Sequence, residues 1–139
     1  MNGWIISDSK WAEISKSYGP ADDRTRERKI IMEKQTAGHD ELGEFAPKFA
    51  ELNDDVLFGE VWAREDKLSA RDRCIVTVTA LMSKGILDSS LQYHIGNAKK
   101  HGVTSEEMAE ILTHGAFYAG WPNAWAAFRM AKEVYGEKE

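Results

Sequence analysis

The chain of 139 residues has a single cysteine, Cys74, which rules out an intrachain disulfide and the CxxC spacing of thiol redox and zinc sites. It has only three prolines and no Gly-Ser or Pro-rich stretch that would serve as a linker, so one principal core is expected. No apolar run reaches the roughly 18 residues of a membrane-spanning helix. The opening "MNGWIISDSKW" has neither the basic start nor the long apolar stretch of a secretory leader, so a cytoplasmic location is expected, with no membrane partner. Lysine and arginine total 18 against 23 acidic residues, for a net charge of −5, and they never gather into a basic face. Nucleic acid is therefore not an expected partner. Glycine-rich phosphate loops, a GxSxG nucleophile elbow and the HExxH zinc pattern are all missing.

The second half of the chain carries clear helix punctuation. Ser69 with Asp72, and Thr104 with Glu107, have the spacing at which side chains satisfy the free N–H groups of a first helical turn. Gly85, Gly102 and Gly120 stand where helices should end, and Pro122 suits the first turn of the next. Four helices are predicted, at 70 to 84, 88 to 101, 105 to 119 and 122 to 136. Their apolar residues recur at helical period: Ile75, Val78, Met82; Leu91, Ile95, Ala98; Met108, Ile111, Leu112; and Trp125, Phe128, Ala131, Tyr135. The β-branched stretch "IVTVT" at 75 to 79 competes as a strand, but its flanking cap and Gly85 favour helix. Upstream, Phe45 to Leu52 and Val56 to Ala63 are predicted as two short helices parted by Asn53-Asp54-Asp55, with Asp54 as the second one's N-cap. Residues 22 to 36 are charge-rich and are predicted as a peripheral helix or an arm. The fold class is all-α.

Several polar residues lie where apolar ones are expected. His94 projects roughly 50° from the centre of the Leu91/Ala98 face, so it points inward. It is either a core histidine bonded to a carbonyl or a catalytic or ligand-binding group. His114 lies on a flank, as half of a surface pair with Glu110 or as part of an interface or pocket rim. His101, just before Gly102, complements a helix C-terminus. His39 falls in a polar loop. Glu60 shares a side with Val56, Leu57 and Val61, as a desolvated acid or base or as the partner of Arg64. Cys74, beside Arg71 and Arg73, is either inert packing or a thiol with a depressed pKa. A metal site is not expected, because His94 and His101 lie about 10 Å apart along a helix.

"FGEVWAREDKLSARDR" (58 to 73), "HIGNAKKHGVTSEEMAEILTHGAFYAGWP" (94 to 122) and the alanine-rich segment after it resemble the carboxymuconolactone decarboxylase family. The match runs over about residues 28 to 136, leaving 1–27 as an N-terminal extension or arm and 28–139 as the family's domain. The resemblance implies an alkylhydroperoxidase-D-like helical bundle and a homo-oligomer, a hexamer or trimer. One branch of the family uses a CxxC followed by histidine. Here the histidine corresponds to His94, while Leu87 and Ser90 stand at the cysteine places.

The decarboxylase branch is therefore the better fit: cofactor-free loss of carbon dioxide from a small carboxylated lactone or related acid. The electron pair left behind spreads into the conjugated ring, so the protein must hold carboxylates, stabilise a dienolate and deliver one proton. The resemblance implies His94 as proton donor, with Glu60 to orient or recharge it. Arg64 or Arg71 clamps a substrate carboxylate, and Trp62, Tyr118 and Trp121 wall out water. His114 and the Tyr118 to Pro122 turn lie near a subunit contact lining the pocket, with Gly115, Ala116, Ala119 and Gly120 as close-approach positions. Two alternatives remain. One is a thiol peroxidase with peroxiredoxin-like activity resting on Cys74; the other is a non-enzymatic oligomeric binding protein.

Overall fold

The computed structural model describes residues 35–136, and the predicted helix or arm at 22 to 36 falls almost wholly outside them. All regular elements among the described residues are helical. The chain divides at the Leu68–Ser69 junction into two compact units.

In the first unit, α1 (Ala37–Leu42) is followed by α2 (Pro47–Glu51), which runs directly into a π-helical segment at Leu52–Val61. Pro47 opens α2 at a position where its missing N–H costs nothing. The wider winding is seen at its end, where Trp62 N donates to Leu57 O five residues back at 2.9 Å. The expected break at Asn53-Asp54-Asp55 does not occur. These residues favour breaks because their side chains bond nearby backbone, but the Asp54 carboxylate is committed elsewhere. Its two oxygens accept from Gly38 N and His39 N, each at 2.9 Å, and a third bond comes from Asn53 Nδ2. Asp54 therefore caps α1 from 15 residues away in sequence. Thr36, the residue that precedes α1, makes no side-chain cap. Gly38 permits the approach, since a Cβ there would stand 2.6 Å from Asp54 Oδ1. His39 is helical, contrary to the loop expected, and its Nε2 lies 3.5 Å from Asp55 Oδ2 and 3.8 Å from Asp54 Oδ2.

In the second unit, α3 (Ala70–Ser83), α4 (Ser89–Lys100), α5 (Ser105–Ala119) and α6 (Trp121–Gly136) match the four predicted helices to within a residue or two. The Ser69 hydroxyl accepts from Asp72 N, and Thr104 and Glu107 form a complete capping box. Gly85, Gly102 and Gly120 all have positive φ. At the ends of α3 and α4 the bonding is the same: Ile86 N to Leu81 O and Gly85 N to Met82 O, then Val103 N to Ala98 O and Gly102 N to Lys99 O. "IVTVT" stays helical because Thr77 and Thr79 turn their hydroxyls back onto the carbonyls of Arg73 and Ile75.

Packing runs α3 on α4 and α5, α4 on α6, and α5 on α6. The α3 stripe is Ala70, Cys74, Val78 and Met82, with Ile75 only part-buried. The α4 stripe carries Leu91, Ile95 and Ala98 as expected, and the α5 stripe carries Met108 and Leu112, with Ile111 only part-buried. On α6 the expectation holds at Ala131 but fails at Trp125, which is 57% exposed; Phe128 and Tyr135 are part-buried, and Ala124 and Ala127 are buried instead. Small side chains let α6 lie close to its neighbours, which turns the bulky ring outward. Asn123 Nδ2 ties the start of α6 to Met82 O and Ala119 O, at the ends of α3 and α5. Farther along, Tyr135 donates to Val103 O at 2.8 Å and Lys99 to Val134 O.

Burial acts to raise the Asp54 pKa. The bonds from Asn53, His39 and Gly38, with the His39 charge, outweigh it and hold the group below the usual carboxylate range. A depressed carboxylate contributes stability above its unfolded pKa of about 3.9, and that contribution is lost as pH falls through the lower folded value. Asp54→Ala should cost about 1–3 kcal/mol at neutral pH. The Gly38 and His39 amides should lose protection in hydrogen exchange, and the difference from wild type should shrink as the solution is acidified below about pH 3.9. Unchanged protection of these two amides would refute the long-range cap.

Candidate functional site

Asp88 opens α4 by accepting from Ser90 N, and the Gly102 turn closes it, so the helix presents a fixed set of side chains. Leu91, Ile95 and Ala98 are fully buried. His94, on their flank, is half-buried rather than shut away. Its ring meets Tyr93 edge-on, with centroids 5.3 Å apart and planes at 81°. Desolvation lowers its pKa, so the imidazole is neutral at pH 7 in the free protein.

Cys74 is fully buried, and burial pushes its thiol up to about 12. This reverses the depressed pKa that Arg71 and Arg73 suggested. Arg71 is drawn off by Glu107, with Nη2 to Oε2 at 2.6 Å, and cannot stabilise a thiolate. The bond from Thr104 N and then the Arg71 contact hold the Glu107 carboxyl below its usual value. The sulfur lies 3.8 Å from His101 Nδ1. That nitrogen lies 2.9 Å from Asn97 O and donates to it, which fits the helix-end role expected of His101.

His114, Tyr118 and Trp121 are exposed in the protomer, with Tyr118 at 80%. The contact His114 makes is with the Tyr118 ring, at 5.3 Å, rather than with Glu110. Phe117, one turn before Trp121, meets it edge-on at 6.0 Å, and Arg129 lies over Trp125 at 5.8 Å. Five aromatic or imidazole rings thus line the outside of the α5–α6 corner. Gly115 and Ala116 face the other way and are buried, and a Cβ at Gly115 would stand 2.6 Å from Met82 Cε.

Three expected site residues belong to the first unit. Trp62 is buried and stacks on Phe58 at 5.9 Å. Glu60 is exposed, as are Leu57 and Val61, so the side assigned to it is not a buried one. The projection at about 100° per residue assumed an α-helix, and the π winding moves each side chain off that register. Arg64 is exposed, and its carbonyl accepts from Lys67 N and Leu68 N in the turn that ends the unit.

The model of the carboxymuconolactone decarboxylase family matches residues 47–133, more than half of the chain and the whole stretch that carries these groups. The chain belongs to this family. It is 35% identical over 94 residues to the 4-carboxymuconolactone decarboxylase of Acinetobacter baylyi, an alignment that covers 68% of this chain and 69% of that protein. It is also 29% identical over 86 residues to an uncharacterized 15.0 kDa protein from the nqo9-nqo10 intergenic region of Paracoccus denitrificans, covering 61% and 63% of the two chains. The helices seen here are those expected of the family's fold, and His94 lies on α4.

Sequence alone did not reveal the groups around His94. Tyr93 and Asn97, on the same helix, bear on its surroundings, and Asn97 is fully buried. Asparagine at a core position of an otherwise regular α4 stripe was the available signal. An open groove of about 420 Å³ between the start of α5 and the end of α6 is lined by Met108, Phe128, Lys132 and Tyr135 among others. His94 is not among its lining residues, so this groove is separate from the surroundings of that imidazole.

Cys74 should be inert to Ellman's reagent in the native protein at neutral pH and should react with one equivalent after unfolding. Rapid labelling of the native thiol would contradict its burial.

Proposed function

We propose that this chain is a cofactor-independent carboxy-lyase that removes carbon dioxide from a small carboxylated lactone or a related unsaturated acid, with His94 as the proton donor. One observation carries the proposal: a half-buried imidazole on α4, its pKa lowered by desolvation, at the position that the family resemblance assigns to histidine. The named activity of the Acinetobacter relative supports the reaction class. The carboxylate C–C bond breaks, carbon dioxide leaves, and the electron pair passes into the conjugated lactone as a dienolate. The imidazolium N–H then adds one proton to carbon, which returns the ring to neutral.

A neutral imidazole in the free protein is suited to this order of events. The negative charge of a bound substrate favours the protonated ring, so the acid is formed where it is used. Arg71 can clamp a carboxylate only by giving up Glu107, and Arg64 is the alternative clamp. Glu60, to orient or recharge His94, and Trp62, as an apolar wall, enter on the family resemblance. The exposed rings of His114, Tyr118 and Trp121 support a homo-oligomer in which this corner is covered by another copy and helps to line the pocket, because apolar surface of this extent on a small protein generally meets a partner. With Cys74 buried and Leu87 and Ser90 at the cysteine places, no observation favours the peroxidase alternative.

His94→Ala should reduce lactone turnover by at least about 100-fold, the usual scale of a lost general acid, while Cys74→Ser leaves it within about two-fold. The reverse pattern would eliminate the decarboxylase reading. The pH profile gives a second check. A required imidazolium makes kcat/KM fall as pH rises through the free protein's pKa, below the ordinary value of about 6.5. The corresponding fall in kcat should come at higher pH, because bound substrate raises that pKa. Light scattering should report an oligomer, and Trp121→Glu should shift it toward monomer.

A further inference from the structure

Beside its apolar face, α4 carries a second stripe: Tyr93, Asn97 and His101, at successive i, i+4 positions. Asn97 is the centre of it. Its carbonyl accepts from both His101 N, at 3.0 Å, and His101 Nδ1, at 2.9 Å. Its side chain is wholly buried, yet neither amide atom makes a well-formed hydrogen bond among the described residues. The amide instead makes a looser contact with the Tyr93 phenol, whose pKa burial pushes up to about 12 and the amide draws partly back. The Tyr93 ring in turn stands edge-on to His94. Cys74 on α3 lies 3.8 Å from His101 and closes the lower end of the stripe.

A buried amide with loose partners is a poor source of stability. Replacing both members of such a loosely bonded pair with apolar side chains of similar shape is commonly neutral or stabilising, whereas removing one leaves the other unsatisfied. Stability therefore does not account for an asparagine among Leu91, Ile95 and Ala98. Its position does: one turn from Tyr93, which touches the imidazole. We propose that Asn97 and Tyr93 are positioning residues for His94, Asn97 steering the Tyr93 phenol and the Tyr93 ring fixing the plane of the imidazole. The proposal rests on the reading of His94 as the proton donor. A ring held in one plane keeps its N–H aimed at the reacting carbon, and small misalignments of such a group cost large factors in rate.

The test compares Asn97→Leu, Tyr93→Phe and the double variant with wild type. Asn97→Leu should lower kcat by about ten-fold with KM within about two-fold, a loss expected for misalignment rather than weakened binding, while the double variant, which removes both members of the pair, should keep or raise the melting temperature. Tyr93→Phe keeps the ring and loses the hydroxyl, so it should show a similar loss. The double variant should be no worse than either single one, because both remove the same link. The imidazole resonances of His94, read by NMR without substrate, should shift in Asn97→Leu. If that variant fails to fold, Tyr93→Phe supplies the same comparison. Unmoved His94 resonances, or activity that falls only in step with melting temperature, would overturn the proposal. Wild type that turns over no lactone would overturn the decarboxylase reading, while the resonances still decide whether these residues hold the ring.

Discussion

The second unit depends on how α4 is held. Three fully buried side chains, Leu91, Ile95 and Ala98, set its rotation, and bonds to α6, from Gln92 to Glu133, from Lys99 to Val134 and from Tyr135 back to Val103, set its position along the axis. Once rotation and height are set, His94 has no choice of surroundings. It lies on the flank of a packed stripe, half in solvent and half out, and that partial desolvation is what keeps its ring neutral.

The same packing explains the outer surface. The buried faces of α5 and α6 are made of small residues, Gly115 against Met82 of α3 and alanines on both helices, and the aromatic residues of those helices point outward. Phe117, Tyr118, Trp121 and Trp125 are exposed in the protomer because Gly115, Ala116, Ala124 and Ala127 are not. In an ordinary amphipathic helix the large residues are buried and the small ones are incidental. Here the small residues form the internal seam, and the large ones are available to a different partner.

Asp54 plays a comparable part in the first unit, as a buried charge that costs much to desolvate and is retained because three donors and His39 surround it. It joins α1 to a π-helical segment that has little amphipathic pattern of its own. Cys74, by contrast, is a thiol without a thiolate. Its burial removes the reactivity that its sequence neighbours suggested, and the nearby cation is taken up by a carboxylate on another helix.

The four helices of the second unit were legible in the sequence because their signals are local. A capping box, a glycine with positive φ and a three-to-four-residue period each depend on residues within a turn or two of one another; the box at Thr104 and Glu107, the three glycines and the α4 stripe were realised, while the α6 stripe fell on other residues. Helix interiors with a consistent stripe, such as Leu91, Ile95 and Ala98, were legible for the same reason, as was the family, whose motifs are contiguous. Only the tertiary structure decided the rest, where the energy of a residue is set by groups distant in sequence. It turned Asp54 from a local N-cap into a long-range one and brought Glu107 to Arg71. It buried Cys74, placed alanine inside and tryptophan outside on α6, and replaced an α winding by a π winding beneath Glu60. Periodicity identifies which residues share a face, but it carries no information about which face a neighbouring helix will choose to approach.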